Sequence, residues 1–141
     1  MKDTQISPSE WEVMRVVWTT HPITSKEISR ILNEKKDWKL ATTKTLIGRL
    51  VKKGVLTTTQ NGRQYDYSPT VTEDESLKEA SEHLLNQVCT RKVGELIEMM
   101  LESSTLSIGD LESLEKIIQM KKENAPEVVV CGCIPGQCTC S

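Results

Sequence analysis

The sequence contains no phenylalanine, and aromatic residues make up only 4% of its 141 residues. The core volume must therefore come from Leu, Ile, Val, Met and the three tryptophans. Histidine is also scarce. Only His21 and His83 occur, and they are far apart in the chain. No nucleophile with a neighbouring base is evident, so we expect no enzymatic activity.

Long apolar segments are absent as well. Residues 1–5 are polar, and no later run approaches the roughly 20 apolar residues that a membrane-spanning helix needs. A secretory signal also requires an apolar segment near the start of the chain. We therefore expect a soluble, cytoplasmic protein with no membrane partner.

The small net charge of −2 conceals an asymmetry between the two halves of the chain. Residues 1–70 contain 12 Lys and Arg against 7 Asp and Glu, whereas residues 71–141 contain 6 against 13. A basic first half and an acidic second half suggest that only the first half contacts a polyanion.

The first half carries the start and stop signals of three short helices. Ser7 and Glu10 form the pattern of a capping box, and Thr24 with Glu27 repeats it. A third apolar stripe ends at Gly54, which suits the left-handed residue after a helix. The start of this third helix is less clear, and either Asp37 or Thr42 would be an acceptable cap.

Two strand-like segments follow, residues 55–59 and 64–68, and the Asn61-Gly62 pair between them is a strong hairpin signal. Three short helices followed by a hairpin predict a winged helix-turn-helix. In that fold the third helix enters the major groove of DNA. We expect DNA contacts from its exposed face and from the hairpin tip: Thr42, Thr43, Lys44, Thr45, Arg49, Lys52 and Arg63. The same arrangement also serves as a plain protein-interaction module.

The second half predicts further helices with apolar stripes between Leu77 and Ile118, the middle stripe lying either in a bent helix or in a separate one near Gly94. Two or three thin helices cannot bury so much apolar surface alone, which favours a homodimer. A small intramolecular bundle is the alternative. The predicted fold is thus mostly α with a small β-hairpin. It comprises a DNA-binding domain (residues 1–70), a helical dimerisation region (71–124) and a Cys-rich tail (125–141).

The tail has a C-x-C-x4-C-x-C pattern formed by four of the five cysteines: Cys131, Cys133, Cys138 and Cys140. Pro135-Gly136 between the pairs predicts a type I or II turn that folds the tail back on itself. Four soft sulfurs without His or carboxylate favour a thiophilic metal, Cu(I) first and Zn(II) second. In a cytoplasmic protein such a cluster is more often a ligand set than two disulfides. Cys89 is interpreted differently, as a buried, inert thiol without partners.

The sequence resembles the BlaI/MecI penicillinase-repressor family over nearly all of residues 5–122. The residues that carry this resemblance are Trp38, Thr42, those at 44–47 and 49–56, Gly62-Arg63 and Tyr65-Asp66-Tyr67. The tail is similar to that of the CopY copper-responsive repressors, a branch of that family. The resemblance implies a homodimer on a pseudo-palindromic, TACA/TGTA-type operator of double-stranded DNA before copper-export genes. It also implies Zn(II) in the DNA-bound repressor and Cu(I), donated by a copper chaperone, in the released form.

We therefore expect a copper-responsive transcriptional repressor. One alternative is a metal carrier or buffer that possesses a winged-helix domain. Another is a penicillinase-type repressor with incidental metal binding. That branch is inactivated by proteolysis in the dimerisation region. The metal-binding tail argues against inactivation by proteolysis here.

Overall fold

The computed structural model describes residues 5–140, so the polar residues 1–4 and Ser141 at the end of the tail lie outside the described residues. The chain divides into two compact units, Met1–Ala80 and Ser81–Ser141. Both are built mainly from helices, and the first also contains a small antiparallel sheet. The predicted fold class is confirmed.

The first unit has the element order of a winged helix-turn-helix. Its helices are α1 (Pro8–Thr19), α2 (Ser25–Lys36) and α3 (Leu40–Lys52). Its strands are β1 (Ile23–Thr24), β2 (Leu56–Asn61) and β3 (Gln64–Pro69), and the strand order in the sheet is β1-β3-β2. The sequence predicted the hairpin of β2 and β3 but not β1, because two residues are too few to show an alternating pattern.

Local hydrogen bonds explain where the first two helices begin. The Ser7 side chain accepts from the backbone N–H of Glu10, and the Glu10 side chain accepts from the backbone N–H of Ser7. This confirms the predicted capping box. At α2, the Thr24 hydroxyl accepts from the backbone N–H of Glu27, but the Glu27 carboxylate bonds to Arg30 instead of reaching back. Only half of the second predicted box therefore forms.

The third helix begins without a side-chain cap. Lys39 occupies the capping position and makes no side-chain hydrogen bond there. Asp37 is instead the left-handed residue that ends α2, and Thr42 lies within the first turn of α3. Neither residue proposed as the cap is therefore correct, because Asp37 lies two residues before the capping position and Thr42 lies three residues after it.

The hairpin turn is as tight as its sequence suggested. Asn61 of β2 pairs with Gln64 of β3, so Gly62 and Arg63 alone connect the strands. Gly62 has a φ of 67°, a conformation that glycine adopts without a steric penalty. The turn therefore places Arg63 at the tip of the hairpin.

The core of the first unit consists of aliphatic and methionine side chains, as the absence of phenylalanine required. Trp11 and Trp18 are only half-buried and pack edge to face, with ring centroids 5.3 Å apart. Trp18 also donates through Nε1 to the Val71 carbonyl at 3.0 Å. The fully or nearly fully buried apolar side chains are Val13, Met14, Val17, Ile23, Ile28, Leu32, Leu46, Ile47, Leu50, Val55 and Leu56.

The remaining helices are α4 (Glu73–Asn86), α5 (Val93–Ser103) and α6 (Ile108–Lys122). The division between the two compact units falls within α4. Cys89 has non-helical backbone angles and is followed by one turn of 3₁₀ helix at Thr90–Lys92. Hence α4 and α5 are separate helices, which decides between the two possibilities that the sequence left open.

The apolar stripes of these helices are largely exposed. Among the described residues of α4, α5 and α6, only Ser76 is buried. The exposed side chains include Ile97, Met100, Leu111, Ile117 and Ile118. An intramolecular bundle that buries the stripes is therefore not what the chain forms. None of the helices in residues 5–140 is long and apolar enough to cross a membrane.

Candidate nucleic-acid interface and metal centre

One face of α3 packs on the core and the other is exposed. Leu46, Ile47 and Leu50 are buried on the inner side. On the outer side the exposed residues include five of the predicted DNA contacts: Thr42, Lys44, Thr45, Arg49 and Lys52. The helical repeat also places Ala41 and Gly48 on this exposed side, and sequence reasoning did not select them. A Cβ added at Gly48 would meet nothing within 4 Å, so a partner surface can approach the backbone closely there.

The structure contradicts the prediction that Thr43 contacts DNA. Its side chain is fully buried, and its hydroxyl oxygen has no hydrogen-bond partner. The position follows the same helical period as Leu46, Ile47 and Leu50, so it faces the core. A side chain without exposed surface cannot reach a base edge, and the prediction of Thr43 as a DNA contact is wrong.

Lys53, at the end of α3, is engaged within the protein. Its ammonium group donates to the Glu10 carboxylate at 2.7 Å and to the Gln5 carbonyl at 2.8 Å. Glu10 itself is only 1% exposed. This ion pair fixes the end of α3 against the start of α1, so Lys53 has a structural role.

Cations from three elements line the groove between α3 and the hairpin. They are Lys26 at the start of α2, Lys44 on α3 and Arg63 at the hairpin tip. The first N–H groups of α3 also lack a side-chain cap, and such groups suit a phosphate. The groove therefore offers positive charge along one side of the first unit.

The tail folds back as its Pro-Gly pair predicted. The backbone N–H of Gln137 donates to the Ile134 carbonyl at 3.1 Å, which closes a turn over Pro135 and Gly136. Gly136 has a φ of 95°, the positive value that a type II turn requires at its second central residue. Cys131 and Cys138 thereby come within 3.4 Å of each other, measured between their sulfurs.

The structure also contradicts the interpretation of Cys89. Its sulfur lies 3.5 Å from that of Cys131 and 3.4 Å from that of Cys140, and its side chain is only partly buried. The interpretation of Cys89 as a buried thiol without partners is therefore wrong. No sequence signal linked it to the tail, because 42 residues separate it from Cys131.

A side-chain contact next to Cys89 also holds the tail in place. The Thr90 hydroxyl donates to the Val130 carbonyl at 2.6 Å, immediately before the first tail cysteine. Both Thr90 and Val130 belong to the second unit. The tail therefore lies against the connection between α4 and α5.

The arrangement of sulfurs fits a metal ion. The sulfurs of Cys89, Cys131, Cys133 and Cys138 all lie within 4.8 Å of one another. A tetrahedral Zn(II) site with bonds of about 2.3 Å places its sulfurs about 3.8 Å apart. The cage thus needs only small adjustments to hold such an ion, and its donors are all soft thiols, which Cu(I) and Zn(II) prefer. Cys140 stands at the edge of this group, in contact with Cys89.

The pKa values of the clustered thiols are shifted in opposite directions. The pKa of Cys89 is lowered to about 6, first by a hydrogen bond from the backbone N–H of Arg91 and then by one from the Cys140 thiol. The pKa of Cys138 is also lowered, first by the backbone N–H of Cys140. The pKa values of Cys133 and Cys140 are raised, that of Cys140 to about 12, first because both thiols donate to Cys89. Binding of a metal would displace these remaining protons.

Residues 6–120 match the sequence profile of the penicillinase repressor family. The chain is 41% identical over 136 residues to the uncharacterized 16.5 kDa protein in the ptsI 3′ region of Latilactobacillus sakei, covering 96% of this chain and 93% of that protein. It is 30% identical over 123 residues to the penicillinase repressor of Bacillus licheniformis, covering 87% and 96%.

Among solved structures, the DNA-binding domain of the repressor BlaI is 37% identical, with a TM-score of 0.49, covering 53% of this chain and 93% of that one. The family match ends before the first tail cysteine, so it does not extend to the thiol cluster.

Proposed function

The chain belongs to the penicillinase repressor family, and on that premise we propose that it is a copper-responsive transcriptional repressor. It binds operator DNA as a homodimer and is released when Cu(I) enters its cysteine cluster. The observation that carries this proposal is a group of four thiols close enough to hold one metal ion, in a chain of a repressor family. Repressors are DNA-binding proteins and not enzymes, in agreement with the expected lack of catalytic activity.

The DNA contacts in this proposal come from α3 and the hairpin. Lys44, Thr45 and Arg49 approach base edges in the major groove, and Thr42 and Lys52 flank them. Arg63 binds a phosphate or enters the minor groove. The exposure of all six side chains and the basic groove beside α3 support these roles.

In the second unit, Zn(II) holds the cluster in the DNA-bound form. One Zn(II) with four thiolates has a formal charge of −2, and two Cu(I) with four thiolates also have −2. Repulsion from DNA therefore does not distinguish the two forms, and the signal must be geometric. Zn(II) imposes a tetrahedron, whereas Cu(I) accepts fewer thiolates and shares them between ions. Only a difference in metal affinity between the DNA-competent and released states can drive the switch.

The operator is expected to be a pseudo-palindrome of the TACA/TGTA type near copper-export genes, with a copper chaperone as the Cu(I) donor; both expectations derive from the family resemblance. A metal carrier or buffer would bind copper without operator binding. A penicillinase-type repressor would bind its operator but would be insensitive to copper.

The test is a gel-shift titration of the full-length Zn(II) protein on duplex DNA that carries such a pseudo-palindrome. Two equivalents of Cu(I) per chain should weaken binding about 5- to 150-fold, the usual range of coupling between two sites. The control is a variant with all four tail cysteines changed to serine. If this variant still leaves the operator when Cu(I) is added, the proposed sensor is wrong.

A further inference from the structure

The thiol cluster is not confined to the tail that the sequence motif defines. Of the four sulfurs that lie within 4.8 Å of one another, three come from the tail and the fourth is that of Cys89. Cys89 precedes the 3₁₀ turn that leads into α5, so it belongs to the helical region. The compact group therefore differs from the C-x-C-x4-C-x-C set by one residue.

We propose that Cys89 is a ligand of the Zn(II) form, together with Cys131, Cys133 and Cys138, and that Cys140 is the spare thiol. This inference rests on the proposed function to the extent that the tail binds metal at all. Zn(II) takes four ligands in a closed structural site, so five thiols within reach leave one unused.

Other contacts make Cys89 well placed for this role. Its sulfur lies 3.5 Å from that of Cys131 and 3.4 Å from that of Cys140. The hydrogen bond from Thr90 to the Val130 carbonyl holds the tail beside it. Outer contacts of this kind orient metal ligands and are part of the affinity of a site.

Alternative roles for Cys89 fit the geometry less well. Its separations from Cys131 and Cys140, 3.5 and 3.4 Å, are far longer than the roughly 2.05 Å of a disulfide. Its partial exposure does not suit a residue that only fills the core.

The consequence is a link through the metal between the tail and the helices. A metal held only by the tail would order ten residues and nothing else. A metal that also binds Cys89 fixes the tail to the connection between α4 and α5. The apolar stripes of these two helices are exposed. Metal exchange can then change the dimerisation region directly.

The first experiment maps which thiols Zn(II) protects in the full-length protein. Protein loaded with one Zn(II) per chain is alkylated with N-ethylmaleimide, digested with trypsin and analysed by mass spectrometry. Cleavage after Lys78, Arg91 and Lys122 places Cys89 and the tail cysteines on different peptides. Cys89 should be protected and Cys140 modified, whereas the metal-free protein should be modified at all five cysteines.

Two failures have different meanings. If the four tail cysteines are protected while Cys89 reacts as fast as in metal-free protein, the inference about Cys89 is overturned and the proposed function is untouched. If all five cysteines react, the metal centre of the proposed function fails together with the inference.

A matched pair of variants, Cys89→Ser and Cys140→Ser, provides the second measurement. Both side chains are partly buried, and circular dichroism checks that helical content is retained. Competition with Co(II), whose thiolate absorption reports the ligands, should show at least a roughly tenfold loss of affinity for Cys89→Ser and a smaller loss for Cys140→Ser. Equal losses, or a larger loss for Cys140→Ser, would contradict the assignment.

Discussion

Two threonines on α3 that are separated by one residue have opposite environments. Thr43 is fully buried, whereas Thr45 is exposed and its hydroxyl donates to the Ala41 carbonyl at 3.0 Å. The residue type is the same, so its chemistry alone does not assign a role. The position on the helical repeat decides which hydroxyl can contact DNA. It also decides which hydroxyl is buried without a hydrogen-bond partner and so lowers the stability of the fold.

Changing each of these threonines to valine separates the two roles. Thr43→Val should leave operator affinity unchanged and should not reduce the free energy of unfolding, because the buried hydroxyl has no partner to lose. Thr45→Val should reduce the preference for operator over random DNA by about 1–3 kcal/mol. Fluorescence anisotropy with both DNAs measures the effect. A loss of operator preference in Thr43→Val would mean that the buried face has been misassigned.

At the scale of secondary-structure elements, the start of α1 and the end of α3 are joined through one carboxylate. Oε1 of Glu10 accepts from the Ser7 backbone at 3.1 Å and from the Lys53 ammonium at 2.7 Å. Burial raises the pKa of Glu10, but the hydrogen bonds from Lys53 and Ser7 outweigh this effect, so the pKa is lowered below 4.5. The capping box is thus also a connection between helices.

Glu10→Gln should lower the free energy of unfolding of the first unit by about 1–3 kcal/mol, because the buried charged hydrogen bond to Lys53 is lost. Since the folded pKa is lowered, the wild-type contribution is present above pH 4.5 and is lost as the pH falls through the folded value. The variant should therefore show a weaker loss of stability below pH 4.5. Urea unfolding followed by tryptophan fluorescence reports this unit, because all three tryptophans lie in residues 5–80.

The control for this change is Glu27→Gln, which removes an exposed ion pair with Arg30. Exposed pairs contribute little, so the unfolding midpoint should not change. If both variants unfold alike at pH 7, the connection between α1 and α3 is not a significant source of stability.

At the scale of the whole molecule, the chain has a basic, well-packed first unit and an acidic second part with exposed apolar helices. Ile117 and Ile118 on α6 are 54% and 51% exposed, and Ile97 and Met100 on α5 are 46% and 51% exposed. Apolar stripes of this extent favour a second copy of the chain as the partner. A two-fold dimer would present two winged units to the two halves of an operator.

Ile118→Glu should raise the dimer dissociation constant at least tenfold, about 1.4 kcal/mol, because the new charge is desolvated when the stripes meet. The control Lys116→Glu introduces the same side chain on the opposite side of α6 and should leave the dimer intact. Sedimentation equilibrium measures both variants. A dimer of unchanged stability in Ile118→Glu would exclude this stripe from the interface.

Local chemistry made much of the fold predictable from the sequence. The Ser7–Glu10 capping box, the Gly62 turn and the Pro135-Gly136 turn each join residues three positions apart, so both partners lie in one short stretch of sequence. The exposed residues of α3 followed from its helical period in the same way. Thr43 could have been excluded by that period, since it shares the face of Leu46 and Leu50.

Only the tertiary structure decided the features that depend on distant residues. The two-residue strand β1 exists because Ile23 pairs with Tyr67 of β3, and Lys53 is engaged because Glu10 approaches it across 43 positions of sequence. The place of Cys89 in the thiol cluster is of the same kind. A motif encodes the spacing of neighbours, whereas the return of the tail to the α4–α5 connection depends on how the whole second unit folds, and no local pattern records it.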